Sequence, residues 1–162
     1  IVFPDFRRMS YKSKPLPLTF ACAATESKLF PSDAGNEIAL CGRSNSGKSS
    51  LINVLANQKK LAKTSNTPGR TQSINFFHLT NDEAKKIVDL PGFGYAKASK
   101  QDQNSWAKLI LSYLGKRAAL TDLILIMDMR HPFQTKDLEF LSLCESLNLP
   151  IHLVLTLSLI HI

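Results

Sequence analysis

No apolar run in the 162-residue chain approaches the ~20 residues that a membrane-spanning helix needs, so the sequence predicts no transmembrane segment. The opening stretch, Ile1 to Leu18, lacks a continuous apolar core followed by small residues, and the expectation is a cytoplasmic chain with no secretory signal. Cysteine is scarce. Cys22, Cys41 and Cys144 form no metal-ligand spacing and are odd in number, which speaks against a disulfide framework and for reduced, mostly buried thiols. There is no internal repeat and no low-complexity linker, so the length reads as one domain large enough for a sizeable core. The chain also lacks an aromatic stacking platform for RNA and a basic amphipathic helix for a membrane surface. What it does have is charge of one sign: 20 Lys and Arg against 13 Asp and Glu, formally +7. That balance favours a polyanionic partner, RNA before membrane, with a solvated basic surface as the competing reading.

Against this plain background stands "GRSNSGKSS", Gly42 to Ser50. Gly42, Gly47, Lys48 and Ser49 satisfy G-x-x-x-x-G-K-[ST], the pattern of a phosphate loop. It follows the strand-like run Glu37 to Gly42 and precedes "KSSLINVLANQKK", which reads as a helix burying Leu51, Ile52, Val54 and Leu55. In that order, the loop N–H groups and the helix N-terminus converge on anionic oxygens. Lys48 reaches the β- and γ-phosphates, and the Ser49 hydroxyl ligates Mg²⁺.

Downstream, Thr64 to Gln72 is a polar loop. "SINFFHLT" and "KKIVDL" are strands of a hairpin with Asn81 and Asp82 in the turn. A second loop, "PGFGYAKASKQDQN", leads into an amphipathic helix with Trp106, Leu109, Ile110, Tyr113 and Leu114 on its apolar side. "DLILIMD" is a buried strand, "TKDLEFLSLCESLN" a helix with Thr135 as N-cap, and "PIHLVLT" a further buried strand. The fold class is α/β: an open, mostly parallel sheet carrying a phosphate loop, with one antiparallel edge strand. "DLPG", Asp89 to Gly92, ends a strand where an acidic residue can hold a Mg²⁺-bound water opposite Ser49, and Gly92 leaves its N–H open to a γ-phosphate. Thr71 is placed to coordinate Mg²⁺ once triphosphate is bound. No catalytic group is named by the residues. The position after "DLPG" is Phe93, which cannot hydrogen-bond an attacking water, so intrinsic hydrolysis is expected to be slow.

"GRSNSGKSSLIN", "TSNTPGRTQSINFF", "DLPGFGYAK" and "MDMRHP", in this order, resemble the EngB (YihA/YsxC) family of bacterial GTP-binding proteins, relatives of Era and TrmE. The resemblance runs from about Leu16 to Thr156. It implies a three-layer P-loop NTPase fold of the Ras-like G-domain kind, and a cytoplasmic bacterial GTPase that binds GTP and GDP with Mg²⁺, works on the large ribosomal subunit precursor, and is needed for division and septation; a monomer is expected. It implies nucleotide contacts at Gly42, Arg43, Ser44, Asn45, Ser46, Gly47, Lys48 and Ser49. Further implied contacts are Gly69, Arg70, Thr71, Gln72 and Ser73, then Asp89, Leu90, Pro91 and Gly92, with Ser49 and Thr71 as metal ligands. An asparagine at the Asn45 position supports a K⁺ ion in related GTPases; bracing the loop is the alternative. His131 is expected to tie down its loop.

The family reads guanine through T-K-x-D, and Thr156 matches its threonine, but the chain continues "LSLIHI" without the lysine or the aspartate. On this reading residues 1–20 are an N-terminal extension and residues 21–162 a G domain lacking its last strand and helix, with an exposed apolar edge near Ile151. Two alternatives stay open: a P-loop ATPase or kinase-like protein, and a defective relative that binds no nucleotide.

Overall fold

The computed structural model describes residues 14–62, 73–94 and 99–156. These form a six-stranded sheet with helices on both faces. Strand β1 spans Leu18–Ala24, β2 Asn36–Cys41, β3 Ile74–Leu79, β4 Asp82–Asp89, β5 Leu120–Asp128 and β6 Ile151–Thr156. The helices are α1, Lys48–Leu55; α2, Lys100–Leu114; and α3, Thr135–Ser146. The spatial order is β1-β3-β4-β2-β5-β6. Strands β4, β2, β5 and β6 are mutually parallel, while β3 runs antiparallel to both β1 and β4.

The inner strands are apolar at successive positions because both of their faces are covered. Ala39 and Cys41 of β2, Leu125 and Met127 of β5, and Phe76 of β3 point toward α2 and α3, where Leu109, Ile110, Tyr113, Phe140 and Cys144 close the larger core. Their neighbours Leu40, Ile126 and Phe77 point the other way and pack with Ile52 and Ala56 of α1. One face thus carries one helix and the other carries two.

Several expectations need correction in detail. The sheet begins at Leu18, inside the stretch read as an extension, because the Thr19-to-Ala23 run is largely exposed and gives no apolar signal. The antiparallel strand β3 is therefore not the edge; β1 lies outside it. Val54 is 74% exposed, since the buried stripe of so short a helix narrows to Ile52. Helix α2 starts at Lys100, six residues before Trp106, the first position of its apolar stripe, on a capping box in which Ser99 and Asp102 satisfy each other's backbone N–H groups. The N-cap of α3 is Gln134, not Thr135, and its reciprocal partner is Asp137. Strand β6 is an edge of the described sheet and leaves Leu153 and Leu155 half exposed, in line with the expected apolar edge.

Candidate nucleotide site

The parallel register decides where chemistry can collect. Leu40 lies opposite Asp89 on one side and Ile124 on the other, so β2 and β4 end side by side while β5 runs on to Asp128. The loop that leaves β2 after Cys41 consequently meets the end of β4 and the loop that leaves β5.

Gly42 has φ 149, and a β-carbon there would lie 2.3 Å from the Ile126 carbonyl oxygen, so the chain can turn under β5 only with glycine. Asn45 and Gly47 also take left-handed conformations, and the turn delivers Lys48 as the first residue of α1. The Lys48 ammonium is buried and donates to the carbonyls of Gly42 and Arg43, both at 3.1 Å. Burial pulls its pKa down, with the Asp89 carboxylate opposing that shift. Asp89 is itself buried, which raises its pKa against the pull of Lys48 and of the Ser49 hydroxyl. Ser49 Oγ donates to Asp89 Oδ2 at 3.0 Å.

The other carboxylate oxygen, Asp89 Oδ1, is buried and has no hydrogen-bond partner among the described residues. An orphaned carboxylate oxygen beside a serine hydroxyl is a hard-oxygen donor set, and these residues fit a Mg²⁺ ion together with its water.

Two struts hold the loop from outside, and neither was legible as such. Thr156, at the end of β6, donates through Oγ1 to Ser46 O at 2.9 Å. The Arg43 side chain turns toward α3: Nη2 donates to His131 O at 2.7 Å, and Nε lies 3.4 Å from Asp137 Oδ2. His131 enters this contact through its backbone carbonyl. Asp137 is fully buried, and its only sequence signal was a helix-capping position.

The Leu90 side chain is in the core, and its N–H donates to Leu40 O at 3.0 Å. Pro91 O accepts from Trp106 Nε1 at 3.1 Å. Ser73 Oγ donates to Asn75 Oδ1 at 3.0 Å. Ser44 and Asn45 are at least partly open to solvent, Ser46 is buried, and Gly92 packs against Ser44. Gly69, Arg70, Thr71 and Gln72 lie outside the described residues. Among the described residues, no three His, Cys, Asp or Glu side chains cluster as a metal centre.

Residues 37–157 match the family described as 50S ribosome-binding GTPase. The chain is 47% identical over 139 residues to the probable GTP-binding protein EngB of Coxiella burnetii (strain CbuG_Q212), covering 86% of this chain and 67% of that protein. The chain belongs to the EngB-type GTP-binding proteins of that GTPase family. The EngB-type protein of Hydrogenovibrio crunogenus is 46% identical over 140 residues, 86% of this chain and 65% of that one. The matched part thus spans about two thirds of these EngB proteins. Among solved structures, a probable GTP-binding protein engB aligns with a TM-score of 0.56 at 27% identity, over 72% of this chain and 68% of that one. Era from Aquifex aeolicus bound to GDP.AlF4- aligns with a TM-score of 0.52 at 23% identity, over 75% of this chain and 40% of that one, and shares the fold. The GTPase fold expected from the four motifs is the one observed.

Proposed function

We propose that this EngB-type chain is a GTP-driven switch acting on a precursor of the large ribosomal subunit in the bacterial cytoplasm. On this reading the switch works as a monomer and is required for normal division and septation. The ribosomal part rests on the family description and the division part on the EngB resemblance. The observation that carries the switch itself is the Ser49–Asp89 pair beside the buried Lys48, with one buried carboxylate oxygen left without a partner among the described residues.

The nucleotide contacts in this reading are Gly42 to Ser49, Gly69 to Ser73, Asp89 to Gly92 and Thr156. Ser49 and Thr71 hold Mg²⁺, which when bound neutralises charge on the β- and γ-phosphate oxygens. Lys48 exchanges two loop carbonyls for phosphate oxygens. The N–H groups at the start of α1 face the same anion and strengthen that exchange. Asp89 orients Ser49 through its hydroxyl. Thr156 and Arg43 keep the loop from sagging when the lysine lets go. Phe93 gives the attacking water nothing to bond to, so hydrolysis is slow unless a partner, or K⁺ at Asn45, supplies the missing charge.

Calorimetry with GTP, GDP and ATP, with and without Mg²⁺, tests the site: binding independent of Mg²⁺ and of Lys48 overturns it. Co-sedimentation with large-subunit particles tests the partner. Binding stronger with a GTP analogue than with GDP, and falling steeply with salt, is the expected result; indifference to both refutes it.

Base selection is a separate matter. Leu157 and Leu159 stand where the family has a lysine and an aspartate, so this chain separates GTP from ATP poorly. Leu157→Lys with Leu159→Asp should restore a guanine preference. An unchanged ratio in that variant would favour an ATPase or kinase-like protein.

A further inference from the structure

The residue after "DLPG" is bonded to the phosphate loop. Phe93 O accepts from Ser44 N at 3.0 Å, Phe93 N donates to Gly42 O at 3.4 Å, and Arg43 pairs with Phe93 as an isolated parallel bridge. Just ahead of it, a β-carbon on Gly92 would stand 2.9 Å from Ser44 Cα, 3.0 Å from Ser44 N and 3.2 Å from Lys48 Nζ. The two segments are therefore in van der Waals contact, with no space for a phosphoryl group between them. In the nucleotide reading above, the third phosphoryl group is the one that Lys48 and the Gly92 N–H share. A diphosphate makes no demand on Gly92.

The aromatic anchoring of Phe93 gives this contact its strength. The ring is 6% exposed, stacks on Phe140 of α3 with centroids 5.0 Å apart and planes 14° off parallel, and meets Trp106 of α2 edge-on at 6.2 Å. Trp106 in turn holds Pro91 through its indole N–H. Gly94 follows at φ 82, a conformation an L side chain rarely adopts. To draw Gly92 off the loop, Phe93 must give up its two bonds to the loop and shift its ring against Phe140 and Trp106.

We infer that Phe93, anchored on Phe140 and Trp106, is a latch that sets the site's preference for nucleoside diphosphate over triphosphate. The triphosphate binds only the fraction of molecules in which the latch is open, and its apparent affinity is reduced by that fraction, whereas the diphosphate binds both forms. The position that carries glutamine in many small GTPases thus acts on ligand choice through its ring. The inference rests on the nucleotide-site reading.

The test is titration of the full chain with fluorescent GDP and with a non-hydrolysable GTP analogue, for wild type, Phe140→Leu and Phe93→Met. Both substitutions keep an apolar side chain in the core while removing the ring stack. The expected result is a roughly tenfold shift of the GDP-to-analogue affinity ratio toward the analogue in both variants. Analogue binding by wild type should also be slower than GDP binding, and that lag should shrink in the variants. A ratio unmoved in both variants, whether the affinities stay put or fall together, overturns the latch. Failure of wild type to bind either nucleotide overturns the site itself, which is a different result. Circular dichroism of each variant identifies a misfolded protein, and then the other variant decides.

Discussion

Replacing Glu37 by alanine isolates what holds the far end of the sheet together. Glu37 is the second residue of β2, near the opposite end of that strand from the phosphate loop, and its side chain is fully buried. It accepts from Arg117 Nη2 at 2.6 Å, Arg117 Nε at 2.9 Å and Tyr113 Oη at 3.0 Å, with Lys86 Nζ at 3.7 Å. The Arg117 side chain is 5% exposed. It lies over the Phe30 and Phe76 rings and donates to the carbonyls of Pro31 and Ser32. Alanine therefore leaves a guanidinium and a phenol buried with their main acceptor gone. Breaking a buried pair from one side costs about 3–5 kcal/mol, a large share of the roughly 5–15 kcal/mol that holds an ordinary domain together. At about 2–4 °C per kcal/mol for a chain of this size, the melting temperature should fall by roughly 6–20 °C. Thermal and urea unfolding followed by circular dichroism measure it. Nucleotide affinity, measured well below the transition, should be unchanged. The double variant Glu37→Met with Arg117→Met should be more stable than either single one, because neither charge is then left alone. A loss below about 1 kcal/mol for Glu37→Ala, or a double variant no better than the singles, would refute the account of the cluster.

Lys48→Ala should abolish triphosphate binding, and Ser49→Ala should weaken it only when Mg²⁺ is present; both are read by fluorescent-nucleotide titration. Thr156→Val removes the hydroxyl that holds Ser46 O while keeping the shape, so it should cost about 1 kcal/mol of stability and weaken all nucleotides alike, as calorimetry and urea unfolding will show. Asp33 accepts from the Ala118 and Ala119 N–H groups, which with Arg117 nearby hold its carboxyl below the usual carboxylate range. Its contribution is present above the unfolded pKa and is lost as pH falls through the lower folded one. Asp33→Ala should therefore cost about 1 kcal/mol at pH 7 and little in strong acid, in urea titrations compared across pH.

How much of this was legible in the chain follows from which interactions are local. The phosphate loop is a contiguous run whose glycines and lysine are fixed by one turn and one helix start, so reading it needs no tertiary knowledge. The inner strands announce themselves by apolar runs because both of their faces are covered. Strand β1 failed that test: as an edge strand with most positions exposed, it carries no pattern, and it is placed by pairing Leu18 to Ala24 with Leu79 to Ile74. The start of α2 failed for a related reason. Its first turn is solvated and held by a cap, and a search for apolar period begins only where burial does.

The supports of the site were illegible in a deeper sense. Arg43 stands inside the phosphate-loop motif, where the EngB resemblance implies a nucleotide contact; nothing there announces that its side chain serves Asp137, more than ninety positions along the chain. Phe93 was read for what it cannot do to a water molecule, when its ring is committed to Phe140 and Trp106. Together these contacts fix the loop from α3, from the "DLPG" segment and, through Thr156, from β6 before any ligand arrives. A loop fixed in this way loses little conformational entropy on binding, so more of the phosphate interaction survives as affinity. For a diphosphate, which leaves the Phe93 contact in place, the reorganisation left to binding is the transfer of the Lys48 ammonium from two loop carbonyls to the ligand's anionic oxygens. Because the amine is already buried, the new partner replaces hydrogen bonds to neutral carbonyls with charge-assisted ones at little further cost in desolvation.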